Sequence, residues 1–110
     1  MDYPANYEKI RAQYAEVIAA YEGLGDLVTQ AGPLSAREQR LVKLALALGA
    51  GLEGAVHSHA RRALAEGVSA DEARHACLLA LTTIGFPAMA RGMSWLDDVF
   101  ANETEDASPA

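Results

Sequence analysis

Cysteine is almost missing from this 110-residue chain: Cys77 stands alone. It has no partner for an intrachain disulfide or a Cys-x-x-Cys pair. Basic residues are scarce too, nine Lys and Arg against 15 Asp and Glu, for a net charge of −6. A chain of that sign repels phosphate backbones, so no nucleic-acid partner is expected. Apolar runs are interrupted by charge or Gly well short of the ~20 residues of a membrane span. The N-terminal MDYPANYEKI has neither a basic n-region nor an apolar h-region. The expectation is a soluble cytoplasmic protein with no membrane partner. Strand-like alternation of useful length and internal repeats are both missing. So are a Gly-rich phosphate loop, a Ser-based nucleophile elbow and a dinucleotide fingerprint, and no cofactor is expected.

What is there is helical in period. About half of the residues are apolar (51%), enough for one domain with a modest core. That domain is expected over residues 1–101, with the acidic stretch 102–110, NETEDASPA, as a flexible tail. A first helix is expected from an N-cap at Asn6, with Tyr7, Ile10, Tyr14, Val17, Ile18 and Tyr21 on one side. Gly23 and Gly25 weaken it, and Leu24, Leu27 and Val28 suggest a short second helix. Ala31 to Leu34 form a turn, and Ser35 to Glu38 read as a capping box opening a helix to about Leu48. Gly49-Ala50-Gly51 then breaks the chain. A helix over Ala70 to about Ile84 and a final one after Gly85-Phe86-Pro87 complete an all-α chain of five or six helices. Met89, Met93, Leu96, Val99 and Phe100 share one face of the last. The helices after Ser35 and Ser69 are apolar nearly all round, more than so short a chain can cover. A homo-oligomer with part of its core between subunits is therefore expected.

The organising stretch is Leu52 to Glu72, LEGAVHSHARRALAEGVSADE. As a helix it places Leu52, Ala55, His59 and Ala63 on one face. Gly67 caps it in left-handed conformation, and Ser69 to Glu72 reads S-x-x-E, the next capping box. Glu53 and His57 are four apart and lie side by side. They are the candidates for a metal, but His59 is about 200° away around the same helix. A third ligand would have to come from another helix, such as His75 or an acidic residue, and no metal is expected. Arg61-Arg62 reads as a solvated or salt-bridged pair, and Cys77, in a strongly apolar helix, as structural.

The run His59-Ala60-Arg61-Arg62-Ala63-Leu64-Ala65-Glu66-Gly67, followed by Val68-Ser69-Ala70-Asp71-Glu72, resembles the carboxymuconolactone decarboxylase family. That superfamily includes the AhpD-type alkylhydroperoxidases. The Leu34-Ser35-Ala36-Arg37-Glu38 opening and the Gly85-Phe86-Pro87-Ala88 corner are similar as well, and the resemblance spans roughly residues 20–100. It implies an AhpD-like helical fold that assembles into homotrimers or homohexamers. The peroxidase branch carries a relay of Glu, Cys-x-x-Cys and His. Counting back from His59, the cysteine positions fall on Leu52 and Ala55 and the glutamate on Arg40. Only the histidine remains. Thiol peroxidase chemistry needs an attacking thiolate and a resolving thiol, which Leu52 and Ala55 cannot supply.

The decarboxylase branch needs no cysteine. The resemblance then implies a lyase, or related enzyme, acting on a small carboxylated, anionic substrate. His59 would serve as acid or base, and Arg40, Arg61 or Arg62 would bind the anion. One alternative is a non-catalytic oligomeric binding or scaffold member of the fold. The other is family-type alkylhydroperoxidase activity, disfavoured by the missing thiols.

Overall fold

The computed structural model describes residues 5–107. Among them the chain forms six α-helices and one 3-10 segment, with no strand. The helices are α1 (Ala5–Gln13), α2 (Ala15–Gln30), α3 (Ala36–Ala50), α4 (Glu53–Ala65), α5 (Ala70–Leu78) and α6 (Phe86–Ala107); the 3-10 segment is Leu79–Thr82. The all-α expectation holds. None of these helices is long and apolar enough to cross a membrane. The chain divides into two compact units, one ending at Ala36 and one beginning at Arg37.

The first unit is a helical hairpin, and its break is not where the glycines suggested. α2 runs straight through Gly23 and Gly25, while the chain turns at Tyr14, whose φ of −132° and ψ of 55° leave the helical region. In one continuous helix Tyr7 and Glu22 would be about 22 Å apart. The turn instead lets Tyr7 Oη donate to Glu22 at 2.9 Å and Arg11 pair with the same carboxylate. The Arg11 guanidinium also lies 5.3 Å from the Tyr7 ring centre. A shared carboxylate and a cation over a ring offset what two glycines cost. The expected cap, Asn6, lies inside α1. Within its own unit α2 buries nothing: Val17, Tyr21, Leu24 and Val28 stay exposed along one stripe.

The second unit holds the core. Leu44 and Leu48 of α3, Val56 and Ala60 of α4, Ala73 and Cys77 of α5 and Leu96 and Phe100 of α6 pack together. α6 is the central element and packs most extensively on α4, then on α5. Close approach depends on small residues. A Cβ at Gly92 would overlap the Leu48 side chain and sit 3.1 Å from Cys77 Sγ. The Met89, Met93, Leu96, Val99 and Phe100 face expected for the last helix is the face turned to this core. The helix itself continues to Ala107, past the start of the stretch read as a tail.

Two helices of this unit end by the same device. Gly67 has φ +90°, its amide donates to Leu64 at 3.2 Å, and the Val68 amide donates to Ala63 at 2.8 Å. Gly51 has φ +72°, with Gly51 to Leu48 at 3.1 Å and Leu52 to Ala47 at 3.0 Å. This is the Schellman arrangement, which uses a left-handed residue to satisfy the last carbonyls. The S-x-x-E box after Gly67 forms as expected: Glu72 N–H donates to Ser69 Oγ at 3.0 Å and Ser69 N–H to Glu72 Oε1 at 2.9 Å.

The single helix expected over 70–84 is a correction. α5 stops at Leu78 and tightens into the 3-10 segment. The Ala80 carbonyl gathers the amides of Thr83, Ile84 and Gly85, at 3.0, 2.8 and 3.2 Å, which winds the chain down into the Gly85 corner. Its apolar residues are not all covered, and Leu78, Leu79 and Ile84 remain exposed, as do Val42 and Leu46 of α3.

Candidate functional site

His57 and His59 point to different neighbours because two residues of helix turn a side chain by about 200°. His59 meets α3, where Arg40 Nη1 lies 2.8 Å from its Nδ1. Glu66, at the C-cap of α4, lies seven residues after His59 and so returns to nearly the same side. Arg40 grips it with two parallel bonds, Nε to Oε1 and Nη2 to Oε2, both 2.9 Å. The result is a carboxylate–guanidinium–imidazole chain, with the Arg40 side chain only 14% exposed.

The chemistry of Arg40 determines the tautomer of His59. A guanidinium only donates, so the Nδ1 it reaches must carry a lone pair. The neutral ring then keeps its proton on Nε2. The electrostatics agree. Burial, followed by the positive charges of Arg40, Arg62 and Lys43, lowers the His59 pKa to about 4, and Glu66 opposes them. Arg40 in turn holds the Glu66 carboxyl below its usual range. His59 is thus a neutral donor through Nε2, in a locally positive environment on an acidic protein.

The expected anion-binding arginines separate. Each of the three Arg40 nitrogens makes a bond within the protein, two to Glu66 and one to His59, which leaves one N–H on each Nη. Arg61 is exposed and lies about 200° from His59 on α4. Arg62, one turn from His59, contributes to the positive potential at its ring. Glu66 and Lys43 were not picked out from sequence. Glu66 had a legible signal, its seven-residue spacing from His59; Lys43 had one only in its distance of one turn from Arg40.

Neither relay position offers chemistry. Leu52 is not on the His59 face of α4: it sits before the helix, more than half exposed, and Ala55 is half-buried. Cys77 is fully buried, its thiol donates to the Met89 carbonyl at 3.4 Å, and burial raises its pKa.

On the other side of α4, His57 Nε2 lies 3.0 Å from Asp98 Oδ2 of α6 and 3.9 Å from Glu53 Oε2. Of the two kinds of group from another helix that such a cluster would need, it is an acidic residue, Asp98, that stands beside His57, and not the exposed His75. His75 instead borders an apolar groove of about 840 Å³ along α3 and α5, with Leu41, Val42, Leu46, Leu79 and Ile84. His59 does not line it.

A family model described as carboxymuconolactone decarboxylase matches residues 15–98. The chain belongs to the carboxymuconolactone decarboxylase family. The match covers α2 to most of α6, and with it His59, Arg40 and Glu66. Neither the curated proteins nor the solved structures returned a match. Within the family, this member joins its histidine to an arginine and a glutamate, with hydrocarbon at both thiol positions.

Proposed function

We propose that this family member is a cysteine-independent, carboxy-lyase-like enzyme acting on a small carboxylated lactone at His59. The observation that carries the reading is the 2.8 Å contact from Arg40 Nη1 to His59 Nδ1, which occupies the one basic nitrogen. That supports a narrower role than general acid or base. When the bond to the carboxylate breaks, its electron pair passes into the lactone carbonyl and leaves an enolate. His59 Nε2–H, backed by the positive charge of Arg40, Arg62 and Lys43, donates a hydrogen bond to that oxygen as its charge develops. Carbon dioxide departs as the bond to the carboxylate breaks, and the carbon then takes a proton from water, leaving hydroxide. We assign the substrate carboxylate to Arg62, whose positive charge acts on His59 from one turn along α4.

Carbon dioxide release from a small carboxylated lactone tests this. Turnover is expected in the wild type and in Cys77→Ser, with a loss of about 100-fold or more in His59→Ala. Turnover unaffected by His59→Ala would remove the assignment. The two bonds from Arg40 to Glu66 favour a second reading, a non-catalytic member that binds small anions. In that case small carboxylates would shift the His59 titration upward with no product formed.

We infer in addition that the chain self-associates as a homotrimer or homohexamer. The exposed stripe of α2 and, within the other unit, the apolar groove along α3 and α5 each support this, because contiguous exposed apolar surface marks interaction sites.

A further inference from the structure

We propose that Glu53, His57 and Asp98 bind a divalent transition-metal ion of the zinc class, bridging α4 and α6. The site is independent of His59, on the opposite side of α4. Its donors are one imidazole nitrogen and two carboxylates, a set that suits zinc better than magnesium or calcium, which favour all-oxygen shells.

The geometry is close to what an ion needs. The three ligand atoms lie within 4.8 Å of one another. His57 Nε2 is 3.0 Å from Asp98 Oδ2 and 3.9 Å from Glu53 Oε2. Tetrahedral zinc with ligands at about 2.0–2.2 Å sets neighbouring ligand atoms about 3.4 Å apart. The observed separations fall on either side of that value, so rotation of two surface carboxylates admits the ion without backbone movement. An ion pair between His57 and Asp98 alone would account for one contact. Helix spacing brings Glu53, one turn earlier, to the same nitrogen as a second carboxylate.

The scaffold is buried where the two carboxylates are exposed. α4 and α6 are joined through buried Val56, Ala60, Leu96 and Phe100, which fixes the helix spacing on which the site depends. His57 is 24% exposed, and Glu53 and Asp98 are each 57% exposed. Water or a small anion can therefore reach a fourth coordination position, as in zinc sites built from three protein ligands. Two carboxylates with a neutral imidazole carry a charge of −2, equal and opposite to that of the ion.

The test is titration of the metal-stripped full-length chain with Zn²⁺ by calorimetry, and with Co²⁺ by visible absorption. One ion per chain is expected, with a micromolar Kd and a rise in Tm. His57→Ala and Asp98→Asn should each weaken binding at least tenfold, while His75→Ala leaves it unchanged. Mg²⁺ should bind at least about 100-fold more weakly than Zn²⁺. The proposal fails if Zn²⁺ shows no saturable binding below millimolar, if His57→Ala binds as the wild type does, or if Mg²⁺ binds equally well. All three ligands are surface side chains, and circular dichroism checks that each variant folds. Glu53→Gln, read the same way, decides the matter should either of the others not fold.

Discussion

Replacing Arg40 with Met removes the donor to His59 Nδ1 and a nearby positive charge while keeping a long side chain. In the wild type His59 should titrate at about 4, well under the ordinary 6.5. Burial is the largest cause and survives the substitution, as do Arg62 and Lys43. A close charge typically moves a pKa by 1–3 units, and Arg40, of the same sign as the imidazolium, lowers this one, so His59 in Arg40→Met should rise by about one unit and stay below 6.5. The sign for stability follows. Between 6.5 and about 4 the unfolded chain binds a proton at this ring that the folded chain does not. Stability is therefore full above pH 6.5 and declines as pH falls towards 4, by about 1 kcal/mol per pH unit once solvent screening of a half-buried ring is allowed for. In Arg40→Met the decline should end about one unit higher. Nuclear magnetic resonance of ring-labelled histidine gives pKa and tautomer together, and His57→Gln and His75→Gln assign the three signals. The wild type should show Nε2 protonated and Nδ1 bare at neutral pH. A wild-type His59 titrating near 6.5, or an Arg40→Met variant with the same pKa and tautomer, would refute the reasoning.

Gly92→Ala places a methyl against Leu48 and Cys77, so the core must open where α6 meets its neighbours. A loss of about 1–3 kcal/mol is expected in urea melts, and a stability within error of wild type would show that the packing is looser than described. Ser69→Ala removes the acceptor for the Glu72 amide at 3.0 Å. It should cost about 1 kcal/mol, read as a lower thermal midpoint with unchanged helical content at low temperature. Leu24→Glu puts a charge on the exposed α2 stripe, where Leu24 is 57% exposed. Analytical ultracentrifugation should show a smaller species than the wild type with no loss of helix. An unchanged sedimentation coefficient would mean that this stripe is no interface.

Local chemistry in the chain order was enough to determine most of the helices. Ser69 and Glu72 are three apart, Gly67 follows the last apolar repeat, and Gly51 ends another, so caps and stops follow from neighbours in sequence. The family, too, follows from His59 and the residues up to Glu72, because that run is contiguous. The hydrocarbon residues Leu52 and Ala55 made relay chemistry the disfavoured reading before any coordinates were considered. What could not be read there depends on distance through space. The break at Tyr14 arises because Tyr7 and Arg11 share the Glu22 carboxylate across the hairpin. The shortening of α5 comes from a single carbonyl, that of Ala80, gathering three amides at a corner. The tautomer of His59 is set by Arg40, 19 residues earlier, and the gathering of Glu53, His57 and Asp98 spans 41 residues between its two closest members. Periodicity tells which side of its own helix a residue occupies; only the packing of α3, α4 and α6 decides which other helix that side meets, and so which proton it keeps.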